Sequence, residues 1–285
     1  MENPRKAMEV LLARHGFHFS KSKGQNFLIE REIPHMIARA SGADGDCGVL
    51  EIGPGIGALS AELCRRAAKV VAVELDRDLL PILDETMAEF TNFEVISADV
   101  LKLDLAALAR ERFAGLRPIL CANLPYNITT PALTTAVEAK CFESLTVLIQ
   151  REVAQRVCAA PGTAAYGAFS VFMQYYTKPS LRFEVPPESF LPAPKVVSAV
   201  LRAETRREPP VRVTDEAFFF RVVYAAFALR RKTLVNSLMT AFGALGKDRL
   251  TEIVTACGLD AGVRGERLGL EEFARLAEKL REAER

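Results

Sequence analysis

The chain has 285 residues, 49% of them hydrophobic and 26% charged, which fits a globular protein and excludes a low-complexity or disordered one. No apolar stretch approaches the roughly 18–20 residues that cross a bilayer. The start, Met1-Glu2-Asn3-Pro4-Arg5-Lys6, leads into an amphipathic segment and not an apolar signal core, so a cytoplasmic chain with no membrane partner is expected. The six cysteines form no C-x-x-C pair, and His15, His18 and His35 lie away from them, so no metal is expected. The net charge of +1 is segregated: seven Lys/Arg face four Asp/Glu in residues 1–40, nine face sixteen in 41–150, and twenty-one face sixteen in 151–285. This is either ordinary surface variation or a pair of basic flanks that meet phosphates.

The periodicity predicts helices over 5–15, ended by Gly16, and over 29–41, with Ile33, Met36, Ile37 and Ala40 on one face. Short apolar strands at 49–52, 69–74, 93–96, 118–122 and 145–149 then alternate with helices running to about 66, over 78–89 and over 130–139. Strands that alternate with helices imply a parallel, doubly wound sheet. Helices at 151–159 and 166–176 come next, then two strand-like pieces at 179–185 and 196–203. The segment Pro186–Pro194 between them is too proline-rich for sheet or helix. Glu208-Pro209-Pro210 reads as a linker, with helical patterns beyond it at 215–228, 231–243, 248–257 and 270–283. The expected division is a sheet domain over 1–208 and a small all-helical domain over 209–285.

Three strand ends carry chemistry. Asn123-Leu124-Pro125-Tyr126 closes the fourth strand, at the sheet edge where open α/β folds bind ligands. An amide that accepts and donates suits an amine on a flat ring, and a tyrosine can stack on that ring. Glu51-Ile52-Gly53-Pro54-Gly55-Ile56-Gly57 follows the first strand of the sheet. Its glycines permit a tight turn and close approach of a ligand. Ala58 stands where a dinucleotide fingerprint needs glycine, and the leading Glu51 suits a cation better than a pyrophosphate. Glu74 can accept from ribose hydroxyls, and Asp99 from an adenine amine. Either could instead be a solvated strand end or a helix cap. Together they favour S-adenosylmethionine, which has adenine, ribose and a positive sulfonium but no phosphate.

These motifs come in an order that resembles the rRNA adenine N6,N6-dimethyltransferases of the small ribosomal subunit, the KsgA/RsmA type. The resemblance begins at Phe19-Ser20-Lys21-Ser22-Lys23-Gly24-Gln25-Asn26-Phe27-Leu28 and runs through the glycine turn, Glu74, Asp99 and Asn123–Tyr126. It continues through Phe190-Leu191-Pro192-Ala193-Pro194-Lys195-Val196 and Ser198-Ala199-Val200, then Arg230–Leu234, Asn236–Leu238 and Arg267-Leu268. It implies a Rossmann-like class I methyltransferase fold. The sheet would be mainly parallel with a C-terminal antiparallel strand pair, and a helical C-terminal domain would follow. It implies cofactor contacts from Asn26, Leu28, Gly53, Gly55, Glu74, Asp99 and Asn123. Catalysis would fall to Asn123, Leu124, Pro125 and Tyr126, with Phe190 covering the second face of the base.

The implied substrate is a pair of adjacent adenosines in the 3′-terminal hairpin loop of 16S rRNA, within the small subunit or its precursor. The enzyme would act as a monomer, with Arg230, Arg231 and Lys232 at a basic helix start meeting phosphates. One departure is Gly265-Glu266, where the family pattern leads one to expect Ala-Glu. The rivals are a 23S rRNA adenine methyltransferase that confers antibiotic resistance, a non-enzymatic nucleic-acid-binding protein of the same fold, and a nicotinamide dehydrogenase. Leu124 and the Arg230–Leu238 run argue against the first, the intact motifs against the second, and Ala58 against the third.

Overall fold

The computed structural model describes residues 4–19 and 24–284; Ser20–Lys23 of the first motif lie outside the described residues. Helix α1 (Pro4–Arg14) precedes a two-residue strand β1 (Phe27–Leu28) and helix α2 (Glu32–Ser41). The alternating series follows: β2 (Cys47–Ile52), α3 (Ala58–Cys64), β3 (Lys69–Glu74), α4 (Leu80–Thr86), β4 (Phe93–Ser97), α5 (Leu105–Arg112), β5 (Arg117–Asn123), α6 (Thr129–Glu138) and β6 (Ser144–Gln150). Then come α7 (Arg151–Cys158), α8 (Ala168–Tyr176), β7 (Thr177–Val185), β8 (Phe190–Leu191) and β9 (Ser198–Thr205). Helices α9 (Glu216–Phe227), α10 (Leu234–Phe242), α11 (Lys247–Ala256) and α12 (Leu270–Ala283) complete the chain.

Seven strands form one sheet in the order β4-β3-β2-β5-β6-β9-β7. The ladders from β4 through β6 are parallel, and β9 runs antiparallel to β6. The chain winds outward from β2 to β4, then returns to start again at β5. This reversal puts the topological switch point between β2 and β5, where the two loops part and leave a crevice. Continuous apolar runs make this possible: every residue of β2 is buried, and so are Ile119–Ala122 of β5. One core layer gathers Ile37, Val49, Leu63, Cys121, Leu148 and Val200. Each large side chain fully buried there contributes roughly 1.5–3 kcal/mol. A second cluster packs Met8 and Leu12 of α1 with Phe17, Phe27, Leu79 and Ile82.

Several local expectations are corrected. Helix α5 was missed; Asp104 starts it by accepting from the Ala107 amide at 2.9 Å. The proline-rich segment does hold a strand, since β8 pairs antiparallel with β1, Phe27 opposite Leu191 and Leu28 opposite Phe190. Two residues suffice because neither is a proline, so both can join the ladder. Arg230–Lys232 do not start a helix: they lie in a turn, and α10 begins only after Thr233, whose hydroxyl caps the Asn236 amide at 3.5 Å.

The chain divides into two compact units, residues up to Ala154 with Ser180–Thr205, and Gln155–Pro179 with Arg206 onward. A single cut at 208 does not describe this, because α8 belongs with the later helices. Its Tyr175 rests on Phe219 of α9, ring centroids 5.1 Å apart. In the same unit the Tyr166 hydroxyl donates to the Leu268 carbonyl at 3.0 Å. Gly265 is required here, for a Cβ on it would lie 2.4 Å from the Ala226 carbonyl oxygen. The departure from alanine is therefore a packing solution, with α9 brought close against the backbone. Among the described residues no helix is long and apolar enough to cross a membrane.

Candidate active site

A cavity of about 170 Å³ opens at the carboxyl ends of β2, β3 and β5. Its lining brings together Asn26, Gly53, Gly55, Glu74, Asp99, Asn123, Leu124, Pro125 and Tyr126, nine positions expected from the sequence. Among the described residues the lining holds three carboxylates, Glu74, Asp76 and Asp99, and no lysine or arginine. These carboxylates repel an anionic pyrophosphate. A cation with hydroxyls to donate is favoured.

The glycine loop forms one wall. Gly53 and Gly55 adopt φ of +68° and +60°, which a side chain disfavours. A Cβ at Gly55 would also press to 3.1 Å from the Phe27 ring. The Gly53 amide donates to the Val73 carbonyl at 2.9 Å, which ties the loop to the neighbouring strand.

Glu74 ends β3 buried, not solvated, with 6% of its surface exposed. Its Oε1 accepts from the Asp76 amide at 2.8 Å and its Oε2 from the Gly55 amide at 3.4 Å. Burial raises its carboxyl above the usual range, and these two amides partly counter that. Asp99 lines the cavity and is also a cap, accepting from the Leu101 amide at 3.1 Å. The functional and capping readings of Asp99 are thus compatible. Glu51 is corrected: it is buried and does not line the cavity. Burial, with Glu74 nearby, pushes its carboxyl up to about 8 despite the adjacent Ser60 hydroxyl. It is largely neutral near pH 7 and supplies no full charge to a ligand.

The other wall is the end of β5. Asn123 Nδ2 donates to the Asn26 carbonyl at 3.1 Å. A carbonyl can only accept, so this contact fixes which end of the amide is nitrogen. Asn123 Oδ1 has no hydrogen-bond partner among the described residues. The Leu124 amide donates to the Leu148 carbonyl at 3.1 Å and carries the sheet one residue past the strand. Pro125, at φ −54° and ψ 133°, then turns the chain. Its carbonyl accepts from the Ile128 amide and the Thr129 hydroxyl, each at 3.2 Å. The Tyr126 hydroxyl shares a 2.6 Å hydrogen bond with Ser198, which is fully buried at the start of β9. Burial raises the Tyr126 hydroxyl above its ordinary pKa, so at neutral pH it stays protonated. The phenol is committed to the protein, and the ring is what it offers a ligand.

Two expected site residues are placed elsewhere. Phe190 is fully buried in the core layer beside Leu28, Val185 and Val200, and does not line the cavity. Its pairing with Leu28 in the β1–β8 ribbon accounts for this. Leu28 packs in that same layer and also leaves the cavity to its neighbours. Arg230, Arg231 and Lys232 lie exposed in the helical unit. Arg230 donates to the Ala164 carbonyl and stands 3.8 Å from Glu266, whereas the side chains of Arg231 and Lys232 have no polar partner among the described residues. Sequence reasoning missed the roles of Gln25, Asp76 and Ser198. Gln25 and Ser198 sit inside quoted motifs, but only proximity in space reveals their partners.

A family model described as ribosomal RNA adenine dimethylase matches residues 16–281. The chain is 45% identical over 282 residues to a ribosomal RNA small subunit methyltransferase A of Alkaliphilus oremlandii, covering 98% of each. It is 44% identical to the protein of that name from Lactococcus lactis, covering 95% of this chain and 92% of the relative. Among solved structures, a dimethyladenosine transferase from Plasmodium falciparum matches in fold with a TM-score of 0.74 at 20% identity, over 90% of this chain and 98% of that one. The 23S rRNA methyltransferase ErmE matches with a TM-score of 0.67 at 27% identity, over 90% of this chain and all of the other. The protein belongs to the ribosomal RNA adenine dimethylase family.

Proposed function

We propose that this protein transfers methyl groups to N6 of two adjacent adenosines in the 3′-terminal hairpin loop of 16S rRNA. The product is N6,N6-dimethyladenosine, formed during small-subunit biogenesis. The observation that carries this reading is the Asn123 amide, turned by the Asn26 carbonyl so that its nitrogen donates to the protein and its oxygen is left to accept. S-adenosylmethionine supplies the methyl group on a sulfonium. The cavity fits it because Glu74 and Asp99 can accept from hydroxyl and amine donors. The carboxylate lining also favours a positive charge.

An adenine amine is a poor nucleophile because its lone pair is delocalised into the ring. Asn123 Oδ1 and the Leu124 carbonyl accept its two N–H bonds and hold the nitrogen pyramidal, with the lone pair turned out of the ring plane. Pro125 fixes the direction of that carbonyl. Tyr126 stacks on the base, its plane set by Ser198. The gain is one of positioning. A loop adenosine leaves its stack at little cost, which suits a pocket that must receive a flipped base. Covering the second face with Phe190 requires the β1–β8 ribbon to move, so Tyr126 is assigned the principal stacking role. The reaction is assigned to a monomer in the cytoplasm, with Arg231 and Lys232 on rRNA phosphates.

The 44–45% identity to small-subunit enzymes, against 27% to ErmE, favours 16S over 23S rRNA. The test is labelled methyl transfer to small-subunit particles that lack the modification, followed by nucleoside analysis. Dimethyladenosine in 16S rRNA is expected. Label appearing only on 23S rRNA, or none at all, would overturn the reading.

A further inference from the structure

The strip of residues that walls the cavity on its N-terminal side is held unevenly. Phe27 and Leu28 are buried and paired with β8. Gln25 and Asn26, just before them, are half-buried and meet the opposite walls, Gln25 through its side chain and Asn26 through its backbone carbonyl. One tie is the bond from Asn123 to the Asn26 carbonyl at 3.1 Å. The other runs from Gln25 Nε2 to Asp76 Oδ2 at 2.6 Å, across 51 positions of sequence. Both ends of that second bond line the cavity.

Asp76 is a fixed anchor. It is 3% exposed, its amide donates to Glu74 at 2.8 Å, and its Oδ1 accepts from the Asp78 amide at 3.2 Å. Gln25 therefore docks on a carboxylate that its own sheet end already holds in place. Hydrogen bonds to a charged acceptor are stronger than neutral ones, and shorter. This one belongs to neither the core nor the ladder, yet it joins the strip to the strand end that carries Glu74.

We propose that Gln25 is a positioning residue that clasps the strip across the cavity through Asp76 and so sets how long the cofactor stays bound. The inference rests on the S-adenosylmethionine reading above. A ligand seated on Glu74 and against the strip has two of its walls joined by this bond, and leaves faster when the bond is gone.

The test measures dissociation of labelled S-adenosylmethionine from the full chain by chase with unlabelled cofactor. Gln25→Ala is expected to speed release about tenfold, as loss of a charge-assisted bond implies. Gln25→Glu sets a second carboxyl against Asp76. At pH 8 the two repel, and release is faster still; at pH 5.5 they share a proton, and much of the wild-type residence time returns. Glu74, Asp78 and Asp99 stand nearby in every protein, so each variant is compared with wild type at the same pH. Melting curves without cofactor check that both variants fold. Release at the wild-type rate from both variants overturns the clasp. So does an equal acceleration in both that ignores pH, which marks a general loosening. If wild type itself binds no S-adenosylmethionine, the parent reading falls and the clasp with it.

Discussion

The cavity at the sheet edge and the basic turn of residues 228–232 use polar side chains in opposite ways. Around the cavity Gln25, Glu74, Asp76, Asp99, Asn123 and Tyr126 each hold a hydrogen bond within the protein. In the turn, the side chains of Arg231 and Lys232 hold none among the described residues. Committed side chains recognise a ligand by orientation, so their effect is short-ranged and resists salt. Uncommitted cations recognise phosphate by charge, and their effect fades as salt screens it. On the proposed function the difference separates a site for chemistry from a surface for docking, and it can be broken in stages.

The largest effect on methyl transfer is expected at Asn123. Asn123→Ala removes the acceptor for the amine, an interaction that matters most in the transition state. A loss of about 3 kcal/mol would slow transfer roughly a hundredfold. Cofactor affinity, read by calorimetry, should change far less. Transfer at near wild-type rate in the purified variant would end the amine-grip mechanism.

Glu51 is the exception within the sheet unit, a buried carboxyl with one oxygen lacking a hydrogen-bond partner among the described residues. Burial pushes its carboxyl up to about 8 in the folded protein, against 4.5 for a carboxyl in water. Between those values the folded protein holds a proton that the unfolded chain has released. Stability therefore falls as pH rises through this window, and the loss is complete above it. Glu51→Gln does not titrate and escapes the loss. Urea unfolding should show its stability relative to wild type improving by about 3–5 kcal/mol from pH 4 to pH 9. A difference that stays flat with pH would mean the carboxyl is not buried as described.

Glu74 tests the commitment rule on the cofactor side. Glu74→Ala deletes the acceptor but leaves the Gly55 and Asp76 amides free to take water. Affinity for S-adenosylmethionine should weaken about tenfold, a loss of about 1.4 kcal/mol, with little dependence on salt. Tight binding of NAD without any binding of S-adenosylmethionine would overturn the assignment of the cavity.

Much of the site could be read from sequence because it lies where apolar runs end. Glu74, Asp99 and Asn123 each close or follow such a run, and an α/β sheet has only one edge at which strands end that way. The glycine turn was legible because positive φ selects glycine. Contacts across long sequence separations were not legible. Nothing local says that Gln25 meets Asp76, or that Tyr126 meets Ser198, 72 residues away. Phe190 misled for a related reason: its proline-rich surroundings suggested a loop, but a two-residue ladder with β1 turned its ring into the core. The boundary at 208 was read from prolines, whereas α8 joins the helical unit by aromatic packing that no linker composition announces.

The smallest expected effect separates the three cations of the turn. Arg230 is partly spent on the Ala164 carbonyl and Glu266, so its removal should disturb the local loop more than it weakens docking. Arg231 and Lys232 are exposed and uncommitted. The pair Arg231→Ala and Lys232→Ala should lower affinity for small-subunit particles a fewfold at moderate salt. Each lost phosphate contact reduces the slope of log K against log salt by roughly 0.7–0.9, so the double variant should flatten it by about 1.5. Arg230→Ala alone should leave most of the slope in place, and S-adenosylmethionine binding should be untouched in both variants. A double variant with an unaltered slope would assign the turn to a merely solvated surface. A slope that falls most with Arg230→Ala would show that its contacts within the protein give way when rRNA arrives.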